Sequence, residues 1–229
     1  MEYLPKGLTL ELTPGAFPLS TDSMVLSNFV RLPKNARILD LGSGCGTLGL
    51  LLCAQSESCH VTGLEMDETA HLGALENINR NGLRDRMESI CADLRLLPPE
   101  FTGRFDCCVS NPPYFSGGPA AARTPLARRE DCCAPAELFD TAGKALKYGG
   151  DFFLVHKPER LAELIARGSE VALEAKRLLL LRHRSDGPIT LICLQFRKGG
   201  KPGLIIEENA LFDKNNEPTT FHKSVYHTE

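Results

Sequence analysis

The sequence of 229 residues contains no tryptophan, and only 7% of its residues are aromatic. It has no apolar run of about 20 residues, which excludes a membrane-spanning helix of ordinary length. Residues 1–5 are not basic and no long apolar stretch follows them, so we expect no secretory signal and a cytoplasmic location. Hydrophobic residues still make up 42% of the chain, which is enough for the core of one domain.

No C-x-x-C pair occurs among the nine cysteines. Zinc sites usually depend on such regular spacing, so we expect no bound metal. An odd number of cysteines, most of them among apolar neighbours, is typical of reduced thiols in a cytosolic protein.

A strong excess of positive charge is also missing. The net charge is −3, which argues against a broadly polycationic nucleic-acid binder. The charge is uneven, however, because residues 123–201 contain fifteen Lys and Arg against ten Asp and Glu. Such a surplus permits a basic face, although it is also common on ordinary solvated surface.

Short apolar runs alternate with helical stretches along the chain. This alternation predicts an α/β fold with a seven-stranded, mostly parallel sheet and helices on both faces. The predicted strands are Arg37–Leu41, His60–Glu65, Met87–Asp93, Phe105–Asn111, Asp151–His156, Lys176–Leu181 and Ile189–Arg197. We expect a single domain over 1–229, with an N-terminal extension and helix at 1–36, a core at 37–200 and a C-terminal extension at 201–229.

Polar side chains stand at the ends of successive predicted strands. The first strand leads into Gly42-Ser43-Gly44, the second ends at Glu65, the third at Asp93 and the fourth at Asn111. Ligands of parallel α/β sheets bind at the carboxyl ends of the strands. An acid about 20 residues beyond a glycine-rich loop can bind both hydroxyls of a ribose. We therefore expect a nucleotide-like ligand at this edge.

The glycines alone do not identify that ligand. Residues 44–49 fit the G-x-G-x-x-G fingerprint, which leaves a dinucleotide-dependent oxidoreductase open. Residues 40–46 also fit D-x-G-x-G-x-G, with Asp40 just before the loop. This acid would repel a pyrophosphate and attract the ammonium group of an amino-acid-bearing nucleoside, directly or through water. S-adenosylmethionine is such a ligand, with a ribose for Glu65 and an adenine amine for Asp93.

The stretch Asn111-Pro112-Pro113-Tyr114 ends the fourth strand abruptly. Proline has no backbone N–H and a fixed φ, so Pro112 stops the ladder and holds Asn111 in an extended conformation. We expect Tyr114 to receive a flat substrate and Phe115 to line its pocket. A turn with a hydrophobic plug is the alternative.

Together, residues 40–46 and 111–114 resemble the class I S-adenosylmethionine-dependent methyltransferases that modify planar amino groups. In that family, an Asn oxygen and a proline carbonyl accept the two hydrogens of an exocyclic amine, and an aromatic ring stacks on the base. The resemblance implies a Rossmann-like fold, S-adenosylmethionine as the cofactor, and catalysis by Asn111, Pro112, Pro113 and Tyr114. The implied cofactor-binding residues are Thr21, Asp40, Gly42, Ser43, Gly44, Glu65, Met66, Asp93, Leu94 and Asn111.

Thr21-Asp22-Ser23 narrows this resemblance. It is similar to the Thr-Asp-Gly element of the bacterial tRNA(Val) adenine-37 N6-methyltransferase family, which lies near the cofactor. Residues 127–130 and 156–161 resemble further elements of that family, although Arg129 replaces a His. The resemblance implies an adenine N6-methyltransferase acting on tRNA. We expect a monomer or homodimer, and the sequence leaves the choice between them open. Guanine N2 in ribosomal RNA, adenine N6 in DNA, glutamine N5 in protein and a silent RNA-binding module remain alternatives.

The segment after the proline motif carries Arg123, Arg128 and Arg129. We expect these arginines to meet the RNA backbone and, with Tyr114 and Phe115, to bind the substrate. Ordinary solvation of a loop is the competing interpretation.

Overall fold

A computed structural model describes residues 1–14, 18–113 and 134–227. The predicted catalytic and substrate-binding residues Tyr114, Phe115, Arg123, Arg128 and Arg129 lie outside these ranges. The described strands are β1 Glu2–Tyr3, β2 Thr9–Leu10, β3 Arg37–Leu41, β4 His60–Glu65, β5 Met87–Cys91, β6 Phe105–Ser110, β7 Leu146–His156, β8 Leu173–Arg184, β9 Ile189–Lys198 and β10 Ile205–Phe212. The described α-helices are α1 Thr21–Phe29, α2 Thr47–Gln55, α3 Glu68–Arg80, α4 Pro135–Ala145, α5 Leu161–Glu170 and α6 Thr220–Tyr226.

The main sheet has eight strands among the described residues, in the order β10-β8-β9-β7-β6-β3-β4-β5. Its neighbours pair in parallel, except that β9 runs antiparallel to both β7 and β8. β1 and β2 form a separate antiparallel pair. The predicted α/β class and mostly parallel sheet are confirmed, whereas the predicted number of seven strands is wrong by one.

The strand of the main sheet that was not predicted is β10, which pairs in parallel with β8 at the edge of the sheet. Its Ile205 and Ile206 are each 61% exposed, and its Glu207 forms an ion pair with Arg177 of β8. An edge strand with this much exposure lacks the buried apolar run by which the other strands were predicted. β10 also lies within residues 201–229, the predicted C-terminal extension. The predicted single domain and its division into a core and two extensions stay a prediction.

Side chains of β6 alternate between two cores on the two faces of the sheet. Cys107 and Val109 belong to the core that also contains residues of α1 and α2. Cys108 belongs to the core that contains residues of α4 and α5, and so does Phe105, which a register shift between Phe105 and Cys107 separates from the regular alternation. Because successive strand residues point to opposite faces, a strand covered on both sides reads as a continuous apolar run. This arrangement confirms helices on both faces.

Two predicted strand ends move toward the N-terminus. β5 ends at Cys91, because Asp93 caps a short 3-10 turn at Leu94–Leu96 by accepting the backbone N–H of Arg95 at 2.9 Å. β6 ends at Ser110, one residue before the predicted end. In both cases the polar side chain that was predicted to end the strand lies just beyond it.

Features of several other protein classes are missing from the described residues. No helix in this part of the chain is both long enough and apolar enough to cross a membrane. Within the same ranges, no three or more His, Cys, Asp or Glu side chains are grouped so that they could hold a metal ion. The cysteines described there are free thiols.

Candidate active site

Four neighbouring strands bring the predicted strand-end residues to one edge of the sheet. β6, β3, β4 and β5 are adjacent and parallel, so their carboxyl ends meet. Gly42 follows β3, Glu65 ends β4, Asp93 lies two residues beyond β5, and Asn111 follows β6. The structure therefore brings these residues together as expected for parallel strands.

The loop after β3 turns through glycines with left-handed backbone angles. The φ values are 72° at Gly42, 56° at Gly44 and 85° at Gly46, a region that other residues rarely adopt. The amides of Gly42 and Ser43 donate to the carbonyl of Leu64 at 2.9 and 3.1 Å, which fixes the loop against β4. A Cβ atom added at Gly42 or Gly44 would meet no atom within 4 Å. The loop therefore leaves open space for a ligand.

Glu65 ends β4 with its carboxylate bound to backbone amides on two sides. Oε2 accepts the N–H of Gly44 and Oε1 accepts the N–H of Asp67, both at 2.8 Å. These bonds hold the carboxylate beside the glycine loop. An ionised carboxylate has further lone pairs, so it can accept hydroxyl donors at the same time.

Asp40, in β3, is 1% exposed, and neither carboxylate oxygen has a hydrogen-bond partner among the described residues. Burial raises the pKa of Asp40 to about 7, and the nearby Glu65 carboxylate adds to the rise. The Gly49 amide opposes the rise, although this pair falls short of normal hydrogen-bond geometry. The buried hydroxyl of Ser43 also lacks a partner in this part of the chain. Unpaired buried groups are uncommon, and a cationic ligand would satisfy this carboxylate.

Asp93 lies at this edge, but Arg95 already engages its carboxylate. The backbone N–H and the guanidinium of Arg95 donate to it at 2.6–2.9 Å. These hydrogen bonds hold the pKa of Asp93 below its usual value. An adenine amine would have to share the carboxylate with Arg95. Of the neighbouring predicted residues, Leu94 is buried and Met66 is 45% exposed.

Asn111 is held from a distant part of the sequence. Its side-chain nitrogen Nδ2 donates to Oγ of Ser23 at 2.9 Å. The preceding Ser110 donates from its buried hydroxyl to the carbonyl of Leu41 at 2.8 Å, which ties the end of β6 to the start of the glycine loop. Of the two prolines that follow, the first is buried and the second is exposed.

Thr21 opens α1, the helix whose first turn contacts Asn111. The Thr21 hydroxyl is hydrogen-bonded to Oη of Tyr226 in α6 at 2.9 Å. Near the other end of α1, Asn28 donates to the carbonyl of Ser224 at 3.1 Å. α6 therefore fixes α1 at two points.

Sequence reasoning missed three residues that hold this edge in place. Ser23 and Arg95 contact predicted site residues. Ser23 stands in the Thr21-Asp22-Ser23 element, but the element does not predict its contact with Asn111, and no local pattern marks Arg95. The third is Asn77 of α3, which is fully buried and donates to the carbonyl of Cys45 in the glycine loop at 3.0 Å. A polar residue on the buried face of an amphipathic helix was the available signal for Asn77.

The fold is that of the class I S-adenosylmethionine-dependent methyltransferases. A predicted O-methyltransferase from Agrobacterium tumefaciens matches with a TM-score of 0.75 at 21% identity, covering 91% of this chain and 96% of that chain. TYW2 of M. jannaschii, solved in complex with AdoMet, matches with a TM-score of 0.59 at 16% identity, covering 84% of each chain. Likeness at this level of identity concerns the fold alone.

The chain belongs to the methyltransferase small domain family, whose model matches residues 18–167. A tRNA1(Val) (adenine(37)-N6)-methyltransferase of Bacteroides fragilis is 34% identical over 189 residues, covering 80% of this chain and 79% of that protein. A protein of the same name in Dickeya chrysanthemi is 31% identical over 189 residues, covering 81% of this chain and 75% of its own length. The predicted methyltransferase family is confirmed, and the oxidoreductase alternative finds no support here.

Proposed function

We propose that this protein transfers a methyl group from S-adenosylmethionine to the N6 amine of an adenine in tRNA, at adenine 37 next to the anticodon. The observation that carries the proposal is the orientation of Asn111. Its Nδ2 is bound to Ser23, which leaves the oxygen Oδ1 as an acceptor at the carboxyl end of β6, the strand next to β3. The similarity to proteins named tRNA1(Val) (adenine(37)-N6)-methyltransferase supports adenine in tRNA as the substrate.

The residues along the carboxyl edge fit the cofactor. The unpaired Asp40 suits its ammonium group, directly or through water, and the open space above Gly42 and Gly44 suits a chain passing over the loop. Glu65 would accept both ribose hydroxyls. The other residues proposed to line this site are Thr21, Ser43, Met66, Asp93, Leu94 and Asn111. When bound, the cofactor would supply a methyl group on a sulfonium, whose S–CH3 bond breaks to leave the neutral thioether, a good leaving group.

Asn111 and Pro112 act on the attacking amine. The lone pair of an aromatic amine is delocalised into the ring, so the amine is a weak nucleophile. Oδ1 of Asn111 and the carbonyl oxygen of Pro112 accept hydrogen bonds from the two N–H groups of the amine. These bonds turn the nitrogen toward a tetrahedral geometry and direct its lone pair at the methyl group. The rigid pair Pro112-Pro113 keeps these acceptors in place. Orientation and electrostatics then supply most of the acceleration.

The substrate side of the proposal rests on residues outside the described ranges. Tyr114 stacks on the target base and Phe115 lines the pocket, while Arg123, Arg128 and Arg129 bind phosphates. A base has to leave its stack to enter such a pocket, so an adenine in a loop is favoured over a paired one.

The experiment is methyl transfer to total tRNA under single-turnover conditions, with the product nucleoside identified by mass. Asn111→Ala should lower kcat and kcat/KM alike by about 10²–10³. Asn79→Ala, an exposed asparagine of α3, is the matched control and should behave like the wild type. Near-wild-type turnover of Asn111→Ala would contradict the mechanism. N2-methylguanosine as the product, or transfer only to DNA or to a protein glutamine, would contradict the adenine-in-tRNA assignment.

We also propose that the protein acts in the cytoplasm as a single domain, as a monomer or homodimer, without a bound metal. Free thiols in the described residues and a tRNA substrate support the location. Sedimentation at several protein concentrations distinguishes a monomer from a homodimer. Metal analysis of the purified protein tests whether a metal is bound.

A further inference from the structure

We propose that Ser23 is a positioning residue for methyl transfer, whose Oγ holds the amide of Asn111 with its oxygen toward the substrate amine. This inference rests on the proposed function and extends it to a residue that does not itself touch the substrate. Ser23 lies in the first turn of α1, 88 positions from Asn111 in the sequence. The distance from Nδ2 of Asn111 to Oγ of Ser23 is 2.9 Å.

The Asn111 amide needs such a partner because its two ends are chemically opposite. Nδ2 is a donor and Oδ1 is an acceptor, and rotation about χ2 exchanges them. The χ2 torsion of asparagine is broad, so covalent geometry does not select an orientation. The substrate amine offers hydrogens, so a reversed amide would place donor against donor. The following prolines restrict the backbone and leave this rotation open.

Ser23 is suited to select the correct orientation of the Asn111 amide, because the hydroxyl proton of Ser23 has another acceptor. Oγ of Ser20, the N-cap of α1, lies 3.4 Å from Oγ of Ser23 and also accepts the Ser23 backbone N–H at 3.3 Å. When the Ser23 hydroxyl donates to Ser20, only its lone pairs face Asn111. It then receives Nδ2 and turns Oδ1 outward.

The surroundings hold this partly buried contact in place. Ser23 is 6% exposed, so water has little access to replace its hydroxyl. Ser110 anchors the backbone just before Asn111 to Leu41. The main remaining freedom of Asn111 is therefore rotation of its side chain about χ2. The hydrogen bond to Ser23 restricts this rotation.

Ser23→Ala removes the hydroxyl and keeps a good helix former. The kcat should fall about 10- to 100-fold, the range in which misplacement of a reacting group lowers rates. The KM for tRNA should stay within about twofold, because the amide of Asn111 acts mainly in the transition state. Ser27→Ala is the matched control: Ser27 is buried one turn further along α1, and its hydroxyl donates to the Met24 carbonyl at 2.9 Å. Equal kcat in the Ser23 and Ser27 variants would overturn the inference.

A double-mutant cycle separates positioning from a general structural role. If Ser23 acts through Asn111, then Ser23→Ala should lower kcat by less than about twofold once Asn111→Ala is present, because no amide remains to be oriented. A full additional loss in the double variant would overturn the inference.

The contact can also be tested without turnover. Urea unfolding midpoints of the wild type, Ser23→Ala, Asn111→Ala and the double variant should be non-additive, as expected for two groups in direct contact. If wild-type protein does not methylate tRNA adenine, the proposed function fails while this cycle still measures the hydrogen bond. Additive midpoints in an enzyme that does methylate tRNA would overturn the positioning role alone.

Discussion

The backbone amide of Gly44 donates a hydrogen bond of 2.8 Å to Oε2 of Glu65. The other oxygen of the same carboxylate, Oε1, accepts the amide of Asp67 at 2.8 Å. Glu65 therefore connects the glycine loop after β3 with the turn that leads into α3. An ionised carboxylate has about four acceptor positions, so two remain for hydroxyl donors of a ribose.

Glu65→Ala should weaken the binding of S-adenosylhomocysteine by about 1.5–3 kcal/mol, the usual cost of losing hydrogen bonds to a charged group. Glu68→Ala is the matched control, because Glu68 is an exposed acid of the first turn of α3. Calorimetric titration of both folded variants measures the effect. An unchanged affinity in Glu65→Ala would remove this residue from the proposed site.

The strand-end residues could be predicted from sequence because two simple regularities act together. Strands buried on both faces read as apolar runs, and parallel strands place their carboxyl ends at one edge. Asp40 and Glu65 follow from these regularities, and so does Asn111 directly after β6. The stop at Pro112 marked the end of that strand in the same way.

Contacts set by packing could not be predicted. The bond between Ser23 and Asn111 joins residues 88 positions apart, and no periodicity records it. Asp93 was expected to face a ligand, yet its carboxylate folds back on Arg95, because a 3-10 turn begins there. β10 was not predicted from the sequence, because a strand at an exposed edge of a sheet needs no apolar run.

Tyr226→Phe tests the link between α6 and the helix that carries Ser23. The change removes only the Oη atom that is bonded to Thr21 at 2.9 Å. It should lower the free energy of unfolding by about 0.5–1.5 kcal/mol, the net worth of a typical hydrogen bond. Tyr3→Phe is the control, since Tyr3 is 82% exposed. Equal urea midpoints for the two variants would show that the link adds no stability.

Arg123→Ala, Arg128→Ala and Arg129→Ala test the proposed phosphate contacts. Each change should flatten the slope of log affinity for tRNA against log salt by about 0.7–0.9, the contribution of one phosphate contact. The affinity for S-adenosylhomocysteine should not change. Arg84→Ala is the control. This exposed arginine precedes β5 and therefore lies at the amino ends of the parallel strands, away from the carboxyl ends where the proposed site lies. A salt slope that none of the three changes alters would identify them as ordinary surface arginines.

Asp40 should make the stability of the ligand-free protein depend on pH. Burial raises its pKa from 3.8 to about 7 in the folded protein, so the folded state binds a proton more tightly than the unfolded chain does. The contribution of Asp40 to stability therefore falls as the pH rises from about 4 to about 7, by about 4 kcal/mol at about 1.4 kcal/mol per unit. Asp40→Asn should remove this fall. Urea unfolding should show that, relative to the wild type, the free energy of unfolding of the variant is higher at pH 8 than at pH 5.

The same ionisation should govern the binding of a ligand that carries an ammonium group. S-adenosylhomocysteine carries an ammonium group, which the ionised form of Asp40 attracts and the protonated form does not. Wild-type affinity should therefore rise with pH from 5 toward 7, by up to about tenfold per unit where Asp40 is largely protonated, and then level off. Asp40→Asn should bind more weakly above pH 7 and lose this rise, whereas Asp85→Asn, which alters an exposed acid, should keep the wild-type profile. Calorimetry across this range decides the question, and matching pH profiles for the wild type and Asp40→Asn would exclude Asp40 as the group that receives the ammonium.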